Sequence, residues 1–302
     1  MEVAVNWGVI HMTNTRTAQR SGLPRRIKIL FALIFILFSI LSYRTYKYFG
    51  QLAIETDQAV LKSGPGVEYK QLTQLKKNQR VTVIRQKYHW MYVKTDNDKE
   101  GWIADWMIND SYKLPINSLS NATIVIDPGH GGYDSGAMSS TNKEEKQYTL
   151  AYAKLLAQKL RKQKAKVYLT RNTDTFVSLS KRPALANNVH ADAFISFHFD
   201  SSPVENTASG FTTYYYHKNS LKLAKAINNE FAAIGLDNRG VEYGNYLVIR
   251  DIDTPAVLLE MGYINSDRDF DQIKSPSYRQ TVVDDVYQGL DKYFSAQKTT
   301  NN

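Results

Sequence analysis

The chain reads as an α/β protein, a mostly parallel twisted sheet flanked by helices, preceded by a small β-barrel and one transmembrane helix. Three observations predict this. After residue 121, short apolar strand runs alternate with helical patterns, as expected of a parallel sheet with crossover helices. Between 51 and 113, short alternating runs are separated by turn residues at the spacing of a small barrel. Near the N-terminus stands one uncharged apolar run, Ile29 to Tyr43.

Composition narrows the function classes. With 302 residues, 43% of them hydrophobic, the chain can build one large core and a small one. Its formal charge of +9 is unevenly spread, because the first fifty residues carry seven Lys or Arg against one acid, leaving +3 for the rest. The excess sits beside the apolar run rather than along a folded surface, which argues against nucleic acid as a partner. The absence of cysteine excludes disulfides and thiolate chemistry, so any transition metal must be held by His, Asp or Glu.

The run Ile29 to Tyr43 has fifteen residues, short of the roughly 17 to 25 a span needs. Lys28, Arg44 and Lys47 can snorkel, however, and Tyr43, Tyr46 and Tyr48 supply an interfacial belt. The run ends Ser42-Tyr43-Arg44-Thr45-Tyr46, without a small-x-small cleavage site. It therefore reads as an uncleaved signal anchor over 29–48, with a cleaved signal peptide as the rival. Five basic residues before it and two after it assign the tail 1–28 to the cytoplasm and everything beyond Tyr48 to the outside.

In the barrel region, Ala59 to Leu61, Val81 to Arg85, Trp90 to Lys94 and Gly101 to Met107 are the strand candidates, with Ser63-Gly64-Pro65-Gly66 as a turn. Residues 114–120 read as a linker. The domain that follows, 121–294, opens on Thr123-Ile124-Val125-Ile126, a buried strand stopped by Asp127-Pro128-Gly129, so that His130 emerges at its C-terminal edge among glycines. Asp127 and those glycines are expected to shape the loop and do no chemistry. Glu144-Glu145-Lys146 starts a helix whose apolar face is Leu150, Ala153, Ala157 and Leu160. Either glutamate can simply complement the helix dipole there. A strand at Ala165 to Thr170 and a helix from Leu179 to His190 follow.

The next strand, Asp192 to His198, again ends on a histidine, and open α/β sheets place ligands at such ends. Gly210 to Tyr216 is a further strand, and Ala224, Ile227, Phe231 and Ile234 predict a helix. Pro255 to Gly262 repeats the strand pattern and carries Glu260 toward its end. A helix through Val282, Val286, Leu290 and Tyr293 closes the domain, and 295–302 is a frayed tail. His190 and His217 are assigned no role.

Two histidines and a carboxylate with an open fourth position form the usual catalytic zinc set. Zinc would activate water for amide hydrolysis, and a second carboxylate, for which Glu260 is placed, would take its proton.

Five motifs in order carry a family resemblance: I-V-I-D-P-G-H-G-G from Ile124, Glu145-Lys146, A-D-A-F-I-S-F-H from Ala191, S-G-F-T-T-Y from Ser209, and P-A-V-L-L-E-M-G-Y-I-N-S from Pro255. Together they resemble the zinc-dependent N-acetylmuramoyl-L-alanine amidases of the amidase-3 family. The resemblance implies Zn2+ held by His130, Glu145 and His198, with Glu260 catalytic. It also implies cleavage of the amide between N-acetylmuramic acid and L-alanine in peptidoglycan. Glu144 leaves the third ligand open by one position. Phe199-Asp200 replaces the alanine-asparagine pair usual in the family, and Tyr263 replaces a phenylalanine.

The region 51–113 resembles the bacterial SH3 (SH3b) domain, which often attaches to peptidoglycan. Tyr69, Trp90 and Trp102 are then either a groove for wall or the barrel's own core. Asp200, Arg239 and Asn265, with Tyr69 and Trp90, are the expected substrate contacts. The layout as a whole resembles membrane-bound wall amidases, single-pass in the cell membrane, and suggests a membrane-protein activator docking on the anchor. A catalytically silent wall-binding scaffold, or a zinc peptidase or deacetylase acting on peptidoglycan, are the alternatives.

Overall fold

The computed structural model describes residues 23–109, 113, 116–232 and 234–296. Most of the tail expected at 1–28, parts of the linker expected at 114–120 and nearly all of the frayed tail expected at 295–302 lie outside them. Two units divide the chain at Gln51. The first contains α1 (Arg25–Phe49), none of whose residues is buried. Its 25 residues reach about 37 Å at 1.5 Å per residue. The helix therefore exceeds the fifteen-residue apolar run because it continues through Lys28, Arg44 and Lys47, whose long side chains leave the helical backbone unbroken.

The second unit begins with an antiparallel sheet of β1 (Leu52–Ala53), β2 (Val60–Lys62), β3 (Gln71–Gln74), β4 (Arg80–Lys87), β5 (Trp90–Thr95) and β6 (Glu100–Ala104), in the order β1-β4-β5-β6-β2-β3. Alternation along these strands sends Leu61, Val81, Met91, Val93 and Ile103 into one small core with Ile54 and Ile108. A second cluster gathers Tyr88, Trp90, Trp102 and Ala104.

The larger sheet contains β7 (Thr123–Pro128), β8 (Lys166–Leu169), β9 (Ala193–Asp200), β10 (Phe211–Tyr215), β11 (Asn238–Tyr243) and β12 (Ala256–Tyr263), ordered β11-β10-β12-β9-β7-β8. Four neighbours, β12, β9, β7 and β8, are parallel, while β10 runs antiparallel to β12. The reversal has a local cause. No helix lies between β9 and β10, and a parallel return requires a crossover of a dozen or more residues.

α2 (Glu145–Lys162), α4 (Leu221–Asn228) and α7 (Pro276–Ala296) supply the main core on one face, together with Ile124, Ile126, Ile195, Phe197, Leu259 and Met261 of the strands. The other face carries Val125, Phe194 and Leu258 against residues of α3 (Lys181–Asn188) and α5 (Leu247–Arg250). A short α6 (Asp267–Ile273) precedes α7, and its N-cap Ser266 accepts a hydrogen bond from the Asp269 amide.

Several sequence expectations shift. The buried stripe of α2 is Thr149, Tyr152, Ala153, Leu156, Ala157 and Leu160, and Leu150 is only half-buried. Phe231 and Ile234 are buried as expected but lie beyond α4, which ends at Asn228. Tandem asparagines there are poor helix formers. Strand β11 was not foreseen, because Asn238 to Tyr243 is mostly exposed and lacks an apolar alternation.

Candidate metal centre and active site

The strand ends converge on one cluster. His130 follows β7 in a left-handed conformation, φ +60°, a strained choice for a residue with a Cβ. Its backbone is held there by buried cations. Arg182 donates to Asp127 Oδ1 and Pro128 O, both at 2.8 Å, and to His130 O at 2.9 Å. Arg171 donates to Pro128 O at 3.1 Å and to Gly129 O at 2.7 Å. Asp127, fully buried, also accepts from Thr170 Oγ1 and Ser196 Oγ, so its carboxylate is consumed inside the fold as expected.

His198 lies on β9 beside Glu260 of β12 in register. β9 runs two residues past His198, to Asp200, so that histidine sits inside the strand rather than at its last position. Beyond this pair, three residues of β12 answer two of β9, and Gly262 adopts φ +120° in that bulge.

Glu145, at the start of α2, faces both rings. Its Oε2 is 3.0 Å from His130 Nε2 and its Oε1 is 3.1 Å from His198 Nδ1. Ala137 N at 2.9 Å and Phe199 N at 3.0 Å donate to the same two oxygens and fix the carboxylate. Glu144 turns away, 3.3 Å from Lys146 Nζ. The structure thus brings Glu145 to the histidines and leaves Glu144 outside.

Electrostatics follow from this packing. Burial alone would raise the Glu145 pKa, but hydrogen bonds from His130 and His198 outweigh it and bring the carboxyl down to about 2. For His130, burial disfavours the charged ring, yet Glu145 and then Asp134 raise its pKa overall. Asp134 Oδ1 lies 3.0 Å from His130 Nδ1 and orients the ring. Sequence reasoning missed this residue, although its position four after the histidine in a glycine-rich loop is a usable signal. Glu260 behaves oppositely to Glu145. Burial, then the charges of Glu145 and Asp200, push its pKa well up, and its buried Oε2 has no hydrogen-bond partner among the described residues.

This donor set fits a divalent cation. One ligand atom from each of His130, Glu145 and His198 lies within 4.8 Å of the others. Nitrogen and oxygen donors about 2.0–2.1 Å from a tetrahedral centre stand about 3.3 Å apart, close to the spacings above. The walls are backbone-thin where the rings need space. A Cβ on Gly129 would come within 2.3 Å of the His198 ring, and one on Gly136 within 2.6 Å of the His130 ring.

A family model for N-acetylmuramoyl-L-alanine amidase matches residues 124–292, and a bacterial SH3 domain model matches 57–109. A probable cell wall amidase LytH from Staphylococcus aureus is 37% identical over 290 residues, covering 92% of this chain and 97% of that protein. This chain belongs to the N-acetylmuramoyl-L-alanine amidase family. A Staphylococcus epidermidis protein of the same description is 40% identical over 255 residues, 82% of this chain and 85% of its own length. Among solved structures, the catalytic domain of the amidase CwlV from Bacillus (Paenibacillus) polymyxa is similar with a TM-score of 0.55 and 37% identity, over 57% of this chain and 97% of that one. The amidase fold and the SH3 domain expected from the motifs are therefore present.

The remaining expected contacts of the amidase scatter. Asp200 is half-buried at the end of β9. Exposed Arg239 reaches over the Tyr263 ring at 5.4 Å. Asn265 is buried, and its amide bonds to Ser202, accepting from N at 3.1 Å and donating to O at 2.7 Å, which ties the loop after β9. Trp90 takes the core position of its two readings. At 3% exposure, packed edge-on against Trp106 with ring centroids 5.4 Å apart, it offers no stacking face, and Trp102 is likewise buried. Tyr69 is 42% exposed, but Lys166 of β8 lies 5.3 Å from its ring centroid, so it faces the amidase sheet.

Proposed function

We propose that this amidase is zinc-dependent and hydrolyses the amide joining N-acetylmuramic acid to the L-alanine of the stem peptide in peptidoglycan. The observation that carries this reading is the Glu145-bridged pair His130 and His198, with Glu260 on the strand beside them, its Oε2 without a hydrogen-bond partner among the described residues. His130, Glu145 and His198 would hold the ion, and zinc at such a site supplies Lewis acidity and an activated water. Glu260, on the strand beside His198, accepts the proton of the attacking water and passes it to the departing alanine nitrogen. The products are a lactyl carboxylate and a free L-alanine amine. Asp134 and the backbone donors on Glu145 keep the ligands oriented without reorganisation during the reaction.

α1 anchors the enzyme in the cell membrane by this reading, N-terminus inside, with the catalytic unit facing the wall. Its length and apolar composition suffice to cross a membrane, and its wholly exposed surface is available to a membrane-protein activator. Should fragment 51–302 act on whole walls as well as the full chain, the activator idea is lost.

The test of the chemistry is product analysis on purified peptidoglycan. New L-alanine amino termini on intact glycan are expected, and release of acetate or of other termini would refute the assignment. Glu260→Ala should keep its metal while losing about 10²- to 10⁴-fold in rate.

A further inference from the structure

The rim beside His130 carries an aromatic pair that hydrolysis leaves unused. Tyr133 is 82% exposed and Phe176 41% exposed, and their rings stack with centroids 4.2 Å apart at 26°. Both supporting backbones are clamped. Gly132 N donates to Asp174 Oδ1 at 2.8 Å, and Lys146 Nζ donates to Gly132 O at 2.7 Å while pairing with Asp174 Oδ2 at 3.0 Å. Arg182 joins the two segments from below, donating to Val177 O at 3.1 Å and to His130 O at 2.9 Å. Gly131 and Asp134 close the turn with reciprocal backbone hydrogen bonds. Tyr133 is thus an exposed ring on a rigid base, at most about 10 Å of chain from His130.

We propose that Tyr133 and Phe176 form a sugar-binding platform that stacks on the apolar face of a pyranose ring in the glycan strand next to the scissile amide. The surroundings favour a sugar over a hydrophobic peptide or protein. Asp174, Lys146 and Asp134 border the pair, and an apolar partner would have to desolvate those groups without compensation. A pyranose presents C–H bonds to the rings and hydroxyls to the charges. Fixing the rings beforehand lowers the ordering cost of binding. The choice of glycan rests on the amidase reading above; the stacking itself does not.

The test uses the full chain in detergent. Affinity for a peptide-free oligomer of alternating N-acetylglucosamine and N-acetylmuramic acid should fall about three- to tenfold in Tyr133→Ala or Phe176→Ala and stay near wild type in Tyr133→Phe. On glycan strands bearing stem peptides, KM should rise by the same factor with kcat within about twofold, and KM for a single muramyl-peptide should not move. Metal content should match wild type throughout. Equal losses on both substrates, unchanged glycan affinity, or loss of metal would each overturn the platform. Glycan binding that depends on Tyr133 in a wild-type chain that releases no L-alanine termini would retain the platform and sink the amidase reading.

Discussion

Two clusters of histidine and carboxylate lie at opposite ends of the large sheet, built from the same side-chain types in different arrangements. At the C-terminal ends of the strands, two imidazoles share the one carboxylate of Glu145, with Glu260 beside them. Before the N-terminal end of β9, one imidazole is shared by two carboxylates: His89 Nδ1 is 2.6 Å from Asp105, and its Nε2 is 2.6 Å from Asp192. Burial would lower the His89 pKa, but the two aspartates raise it to about 10, so the ring is itself the cation. The first cluster gathers donor atoms that could hold a metal ion, whereas the second contains its own cation. What separates the two is arrangement: Glu145 is shared by two rings, whereas His89 is shared by two aspartates.

The clasp also explains how the SH3 domain is held. Asp105 belongs to that domain and Asp192 to the amidase, where it accepts from Thr123 N at 2.7 Å. Trp106 stacks on His190 at 3.8 Å, and Tyr88 donates to Lys164 O at 2.9 Å. Lys166 reaches back to Glu68 at 3.0 Å and to Pro65 O. His190, to which the sequence assigned no role, is therefore part of this contact.

Breaking each cluster should have a distinct outcome. The largest effect is expected from His198→Ala. Metal affinity should fall by more than the roughly 100-fold that loss of an orienting partner costs, with hydrolysis lost and the fold retained by circular dichroism. His89→Ala should instead destabilise by about 3 kcal/mol in denaturant titration, the low end for a buried pair, leaving metal content untouched, because buried Asp105 and half-buried Asp192 lose their shared cation. If metal binding collapsed as well, the two clusters would not be independent. Asp134→Ala comes next, with metal affinity about 10- to 100-fold weaker as His130 loses its orienting acceptor; an unchanged affinity would remove Asp134 from that role.

The smallest effect sharpens the clasp through pH. The folded pKa of His89 is raised above its ordinary 6.5, so the clasp's contribution is whole below about pH 6.5 and declines as pH rises through about 10. The Tm gap between wild type and His89→Gln should narrow between about pH 6 and about pH 10. A gap that widened with pH would show that His89 is held neutral.

Much of this was legible in the residues. The apolar runs at Thr123, Ala193 and Ala256 became the parallel strands β7, β9 and β12, because a strand buried on both faces must be largely apolar. His130, His198 and Glu260 stood out as candidates because the strands of an open sheet present side chains along one edge. Less legible were β11, whose exposed residues carry no alternation, and the true position of Trp90, since an aromatic in a small barrel reads alike as groove or core.

What the sequence determined by itself was local: strands and helices through their apolar periods, a long apolar helix through an uncharged run, and a set of histidines and carboxylates that could hold a metal. Only the tertiary structure decided which of them meet. It selected Glu145 over Glu144, recruited Asp134, Arg171 and Arg182 to the His130 turn, placed His89 between acids from two domains, and stacked Tyr133 on Phe176. Periodicity is set by bonds between near neighbours in the chain, whereas charge pairing and ring stacking join residues far apart in it, and those distances exist only once the core has packed.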